Sequence, residues 1–139
     1  MTQSTSPDTV TPPPTGGRLT THVLDTVHGA PAAGMAIALF VRDDTSGGAD
    51  SPTWRLLREA VTNADGRVDG PMLAGADFRP GVYRLVFEVE RYFRAKGVAL
   101  PTPAFLSQVP LEFGLADAQA HYHVPLLVSP WAYSTYRGS

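Results

Sequence analysis

The clearest pattern in the chain is the alternation of apolar and polar residues over positions 81–90. Tyr83, Leu85, Phe87 and Val89 fall on one side of an extended backbone, and that side is continuously apolar. Successive side chains of a strand point to opposite faces of its sheet, so this row predicts a β-strand that faces the core.

The remaining apolar segments are short and are separated by turn residues. Residues 91–97 carry apolar side chains at helical spacing and end at a glycine, which predicts one short helix of about two turns. Residues 54–62 fit strand or helix by composition, and the Asn-Ala-Asp-Gly turn that follows favours a strand. Further strands are predicted at 19–24, 35–41, 109–113, 121–128 and 131–136.

About seven or eight strands, one small helix and a turn roughly every ten residues favour an all-β fold. The chain has 13 glycines and 13 prolines, which suits many short strands joined by turns. We therefore predict a two-sheet β-sandwich, although the pattern leaves the order of the strands open.

Composition narrows the class of protein. The 139 residues suit one domain, and no apolar stretch approaches the roughly 20 residues of a spanning helix, so we expect no membrane segment. The net charge of -2 gives no reason to expect nucleic acid as a partner. The chain contains no cysteine, which excludes disulfides and thiol nucleophiles and fits a cytoplasmic protein.

The N-terminal residues 1–18 differ in composition from the rest. They are rich in Ser, Thr, Pro and Gly and have neither a basic start nor an apolar run, so we expect a disordered tail and not a signal peptide. The three prolines at 12–14 leave open a docking role for that tail. The folded domain is predicted to span 19–139, with a polar surface loop at 43–53.

Histidines supply the first candidate chemistry. His121 and His123 lie two apart on a predicted strand and so share a face, and His22 lies on the first predicted strand. Three histidines could hold a zinc ion with a bound hydroxide, or they could simply be solvated. His28 lies in a turn and receives no role.

Two more candidates lie near the ends of strands. Arg67 follows a turn and either faces solvent or recognises an anion or carbonyl group through its planar donors. The last four residues, Tyr136, Arg137, Gly138 and Ser139, bring together an aromatic ring, a guanidinium, a glycine and a hydroxyl. By composition alone they read as an exposed strand end, although the same groups could bind a polar substrate.

Three blocks of sequence together resemble the 5-hydroxyisourate hydrolases, also called transthyretin-related proteins. The blocks are LTTHVLD at 19–25 with the GAPA turn at 29–32, TNADGR at 62–67, and HYHVPLL at 121–127 running through YST to the closing YRGS. Each block alone is a weak signal, but all three occur in order over about residues 19–139. The resemblance is therefore specific.

The resemblance implies a transthyretin-like sandwich of two four-stranded sheets with one short α-helix, assembled as a homotetramer that is a dimer of dimers. It implies hydrolysis of the small molecule 5-hydroxyisourate in purine degradation, in a channel where the dimers meet, without metal or cofactor. It also implies roles for particular side chains. These are a catalytic set of His22, Arg67, His123 and Ser139, and a substrate site shaped by Tyr136, Arg137 and Gly138.

Two alternatives remain open at this point. Transthyretin has the same fold and carries small hydrophobic molecules, so the fold alone does not separate an enzyme from a carrier. A carrier is expected to lack the histidines, Arg67 and the closing YRGS, all of which this chain keeps. A purely structural β-sandwich would leave the clustered polar groups unexplained.

Overall fold

The structure is a computed structural model and describes residues 16–43 and 52–138. Within these residues it contains short strands, one α-helix, α1 (Val89–Ala95), and a single 3-10 turn at Gly75–Asp77. The strands are β1 (Arg18–Thr20), β2 (Val23–Asp25), β3 (Ala30–Pro31), β4 (Ala36–Asp43), β5 (Thr53–Val61), β6 (Leu73–Ala74), β7 (Gly81–Glu88), β8 (Gln108–Leu115), β9 (His121–His123), β10 (Leu126–Val128) and β11 (Tyr133–Ser134).

The first sheet is built around two interrupted strands that run parallel to each other. β1 pairs with β9 so that Arg18 faces His121, and β2 pairs with β10 so that Val23 faces Leu126. Backbone hydrogen bonds from Val124 to Thr20 and from Leu126 to His22, both 2.9 Å, continue the pairing across the interruption. β6 pairs with β1, β3 pairs with β2, and β11 pairs with β10. The part with β1 and β9 and the part with β2 and β10 thus continue each other as one sheet four strands wide.

The second sheet is antiparallel throughout, with strand order β5-β4-β7-β8. Its long strands pair across most of their length, with one irregularity between Leu39 and Phe40 on β4. The pairing does not follow chain order throughout, because β4 lies between β5 and β7 and the connection from β7 to β8 contains α1.

Apolar side chains from both sheets meet in one core. The predicted inner row of β7 is buried as expected, because Leu85 and Phe87 are fully inaccessible to solvent. Helix α1 adds Tyr92 and Phe93 to the same core. The predicted all-β, two-sheet sandwich with one short helix is therefore confirmed. Within the described ranges, no helix is long and apolar enough to cross a membrane.

Prolines and packing explain where the predicted strands were too long. The predicted strand 121–128 divides into β9 and β10 at Val124 and Pro125, because proline has no N–H to donate to a neighbouring strand. The predicted strand 19–24 divides beside it, where the Thr21 hydroxyl donates to the carbonyl of Val124 at 2.7 Å. The predicted strand 131–136 is reduced to β11 alone.

Other boundaries also differ from the prediction. β7 ends at Glu88, and α1 begins at Val89, two residues before the predicted helix. β3 and β6 are two residues long, too short for periodicity to reveal. The predicted tail lies outside the described residues up to position 15, and the predicted loop lies outside them at 44–51.

A buried carboxylate ties the first sheet to the helix. Asp25 is only 1% exposed, and its Oδ1 accepts from the backbone N–H groups of Val27 and His28. Its Oδ2 lies 2.6 Å from Nδ1 of His28 and accepts from the Tyr92 hydroxyl at 2.8 Å. Burial alone would raise the pKa of Asp25, but the hydrogen bonds from His28 and Tyr92 outweigh it and lower that pKa. His28 thus has a structural role that the sequence did not reveal.

We expect Asp25→Asn to lower the free energy of unfolding by about 3 kcal/mol, since it leaves buried donors facing an amide nitrogen. Because the folded pKa of Asp25 is depressed, its stabilisation is present above its ordinary value of 3.8 and is lost as pH falls through the folded value. Urea unfolding at several pH values measures both effects. Asp65→Asn, at an exposed turn residue, is the matched control. Equal loss in both variants would contradict this role.

Candidate active site

Four polar side chains share the outer face of the first sheet. Thr20 and His22 come from the first strand, and His121 and His123 come from β9. Between them in sequence, Thr21 and Tyr122 point inward and are buried. Alternation along two paired strands therefore separates the core from this polar cluster.

Hydrogen bonds join these four side chains. His22 Nδ1 lies 2.6 Å from His123 Nε2, and the two rings are stacked with centroids 4.8 Å apart. The Thr20 hydroxyl oxygen lies 2.7 Å from His123 Nδ1 and 2.8 Å from His121 Nε2. Thr20 was not among the residues predicted from the sequence. Its position two residues before His22 on a predicted strand was the available signal that both share one face.

A tight turn brings Arg67 beside the histidines. Asn63 Oδ1 accepts from the backbone N–H of Arg67, and Gly66 adopts a φ of +72°. The Gly66 carbonyl accepts from Val23 at 2.8 Å, and a Cβ at Gly66 would lie only 2.5 Å from the Val23 carbonyl oxygen. Only glycine fits this close approach, which sets Arg67 in an antiparallel bridge with His22.

Burial and positive charge act together on the histidines. Burial lowers the pKa of His22, and the Arg67 charge lowers it further. Burial also lowers the pKa of His123, with smaller contributions from His22, Arg67 and His121. Both imidazoles are therefore held neutral near pH 7, which is the protonation state in which a ring nitrogen can accept a proton.

Gly138 packs directly against His123. The Gly138 N–H donates to the His123 carbonyl at 2.7 Å, and a Cβ at Gly138 would lie 3.2 Å from the His123 ring. The glycine that the resemblance assigns to the substrate site therefore flanks a histidine. Ser139 lies outside the described residues.

Tyr136 and Arg137 lie beside a groove that Tyr122 also lines. The Arg137 guanidinium sits over the Tyr122 ring at 4.0 Å, and Tyr136 is 56% exposed. Both residues line a groove of about 450 Å³ that also includes Phe113 and Tyr133. The structure therefore places these two predicted substrate residues at the edge of the sandwich.

Metal binding was the other interpretation of the histidines. In the part of the chain that the structure describes, no group of three or more His, Asp or Glu side chains is arranged to hold a metal ion. The expectation of chemistry without metal stays a prediction.

Known proteins match this chain in sequence and in structure. The sequence profile of the HIUase/Transthyretin family matches residues 19–138. A protein of Pseudomonas aeruginosa named 5-hydroxyisourate hydrolase is 56% identical over 123 residues, which cover 88% of this chain and 92% of that protein.

Two solved structures share the fold. A crystal structure of (S)-allantoin synthase is 45% identical with a TM-score of 0.81, covering 90% of this chain and 44% of that one. Sea bream transthyretin in complex with thyroxine is 27% identical with a TM-score of 0.74, covering 87% of this chain and 94% of that one. The profile match spans nearly all of the sandwich and includes His22, Arg67 and His123, so this chain belongs to the HIUase/transthyretin family.

Proposed function

We propose that this protein hydrolyses 5-hydroxyisourate to 2-oxo-4-hydroxy-4-carboxy-5-ureidoimidazoline in purine degradation. The observation that carries the proposal is the hydrogen-bonded His22–His123 pair beside the Arg67 charge on an open face of the sheet. The 56% identity to a relative that bears the name 5-hydroxyisourate hydrolase supports the choice of substrate.

The reaction sets clear requirements on the site. The substrate is a planar oxidised purine, and water must attack a ring carbonyl carbon so that an amide-like C–N bond breaks. Water loses a proton as its oxygen bonds to carbon, and the leaving nitrogen gains a proton. Neutral histidine can take the first proton and return it, since its pKa lies near working pH. The lowered pKa values of His22 and His123 keep this base available.

Arg67 meets the second requirement. Negative charge develops on the carbonyl oxygen as water attacks, and a fixed cation beside it stabilises that charge. The guanidinium donors also match the ureide-like edge of the substrate. The tight turn that ends at Gly66 holds the Arg67 backbone in place against the first strand, which reduces the reorganisation needed during the reaction.

The closing residues complete the proposed site. Gly138 flanks His123 and leaves room for a flat substrate against that ring. Ser139 is proposed to orient water or substrate. A serine acyl-enzyme is less favoured because the sequence around Ser139 has no Ser-His-Asp spacing that would activate it. Tyr136 and Arg137 are proposed to shape the substrate site from the edge of the sandwich. The roles of these three stay predictions.

The rival function is that of a carrier, as the thyroxine complex of sea bream transthyretin illustrates for that protein. Three linked imidazoles and the Arg67 charge argue against it here. A hydrophobic ligand placed over them would bury polar groups without new partners, which costs free energy.

The direct test generates 5-hydroxyisourate from urate with urate oxidase and follows its ultraviolet decay. The wild-type protein should accelerate the decay above the spontaneous rate, and His123→Ala should lose at least about a hundredfold in turnover because it breaks the histidine pair that provides general-base catalysis. Lys96→Ala, at an exposed residue that follows α1, should keep turnover. No acceleration by the wild-type protein would favour the carrier.

The pH profile tests the role of Arg67. Since the pKa of His22 and of His123 is lowered, kcat/KM should fall only as pH drops below the ordinary histidine value of 6.5. Arg67→Gln should lower the rate and move this acid limb to higher pH, because it removes the positive charge that opposes protonation. Arg91→Gln, at an exposed helix residue, should leave the limb in place. An unshifted limb in Arg67→Gln would contradict the electrostatic role.

We also propose a homotetramer, built as a dimer of dimers. β8 and β11 are edge strands of the two sheets. Tyr133 in β11 is 45% exposed, and Trp131 just before β11 is 57% exposed. Exposed aromatic residues next to an unpaired strand edge are typical of an interface. Sedimentation analysis should give the mass of four chains of 14.9 kDa. A fully active monomer would contradict this assembly. The cytoplasmic location stays a prediction.

A further inference from the structure

The hydroxyl of Thr20 connects a third histidine to the catalytic pair. It lies 2.8 Å from His121 Nε2 and 2.7 Å from His123 Nδ1, and His123 Nε2 lies 2.6 Å from His22 Nδ1. We propose that these four side chains form a proton relay in which His22 is the reacting base, Thr20 the positioning residue and His121 the outlet to solvent. The inference rests on the proposed hydrolysis and assigns its proton transfers.

The strand register explains why a threonine is needed at this point. His121 and His123 are two residues apart on β9, and their ring centroids are 6.3 Å apart. Their nitrogens therefore need a connecting group from the neighbouring strand. Thr20 faces His123 in the parallel register of β1 and β9, and its hydroxyl fits between the two rings.

Counting hydrogens restricts the relay to two arrangements. Each neutral imidazole carries one N–H, the Thr20 hydroxyl carries one hydrogen, and each of the three contacts holds one hydrogen. A continuous relay therefore requires that all three rings carry hydrogen on Nδ1, or that all three carry it on Nε2. A mixed set leaves the Thr20 oxygen accepting from both rings and interrupts the relay.

The two arrangements have opposite chemistry at His22. With hydrogen on Nδ1 of every ring, His22 Nε2 has a free lone pair and acts as a base. With hydrogen on Nε2 of every ring, the same nitrogen carries a hydrogen and acts as an acid. The resting protein is assigned the first arrangement, because hydrolysis begins by removing a proton from water.

The transfer balances at every atom. Water gives a proton to His22 Nε2 as its oxygen bonds to the carbonyl carbon. His22 Nδ1–H passes to His123 Nε2, His123 Nδ1–H passes to Thr20 Oγ1, and the Thr20 hydroxyl hydrogen passes to His121 Nε2. His121 Nδ1–H then leaves to solvent. The reverse sequence delivers a proton from His22 Nε2 to the leaving nitrogen, which receives the electron pair of the broken C–N bond.

Electrostatics explain the benefit of moving the proton outward. A protonated His22 or His123 would face the Arg67 charge, which opposes protonation of both rings. The relay moves the positive charge away from Arg67. The Arg67 guanidinium then remains free to stabilise the negative charge on the carbonyl oxygen. His121 is partly exposed, and burial and Arg18 lower its pKa, so the proton passes on to water instead of staying on that ring.

The first experiment does not depend on activity. Nitrogen NMR of protein labelled with ¹⁵N in its histidines reports which ring nitrogen carries hydrogen. His22, His121 and His123 should all carry it on Nδ1 in the wild-type protein and in Thr20→Ser. In Thr20→Val, which keeps the shape but removes the hydroxyl, His121 should lose this preference. A mixed set of tautomers in the wild-type protein would overturn the relay.

The second experiment measures turnover of 5-hydroxyisourate. Thr20→Val and His121→Gln should each lower kcat by about 10- to 100-fold with little change in KM, and the double variant should lose no more than either single one. Thr20→Ser should keep kcat within a few-fold of wild type. Thr21→Val is the matched control, since its hydroxyl bonds the Val124 carbonyl on the opposite face and should affect stability alone.

The two failures are distinguishable. A wild-type protein that does not accelerate the decay would refute the proposed function, and the tautomer measurement would still decide whether the hydrogen-bonded chain exists. Full activity in Thr20→Val, in a protein whose wild type is active, would overturn the relay and leave the proposed function standing.

Discussion

The parallel pairing of the first strand with β9 and β10 is the constraint on which the rest of the structure depends. One register, with Thr20 opposite His123 and Val23 opposite Leu126, holds on both sides of the interruption at Pro125. Because side chains alternate, that register decides two things together. It directs Leu19 and Tyr122 into the core, and it brings the histidines into contact on the other face. A slip of one residue would exchange core and site.

Most of the fold could be predicted because it depends on local patterns. The inner row of β7 needs only period-two alternation, and the division of the chain into strands needs only turn residues. The errors lie where a distant partner decides the conformation. Pro125 interrupts the pairing because a neighbouring strand finds no N–H there, and the sequence does not say which strand is the neighbour. The start of α1 at Val89 depends on core packing. β3 exists only because β2 lies beside it.

The site could be predicted only in part. Alternation placed His121 and His123 on one face, but a resemblance was needed to bring His22, Arg67 and Gly138 to the same place. Periodicity carries no information on which strands are neighbours, so the 2.6 Å contact between His22 and His123 is not readable from spacing. Thr20 was missed for the same reason, since a threonine on a strand is common and acquires meaning only from the rings on either side.

The same pairing also shapes how the protein folds. Thr20 and His123 are 103 positions apart, so joining their strands closes a long loop, whereas β4 to β8 pair through shorter connections. Closing the longer loop carries the larger entropy cost, which favours early formation of the antiparallel sheet. On a ribosome, β9 emerges only after that sheet has been synthesised. The histidine cluster therefore waits for the end of the chain, and so does the part of the core that Tyr122, Val124 and Leu126 supply.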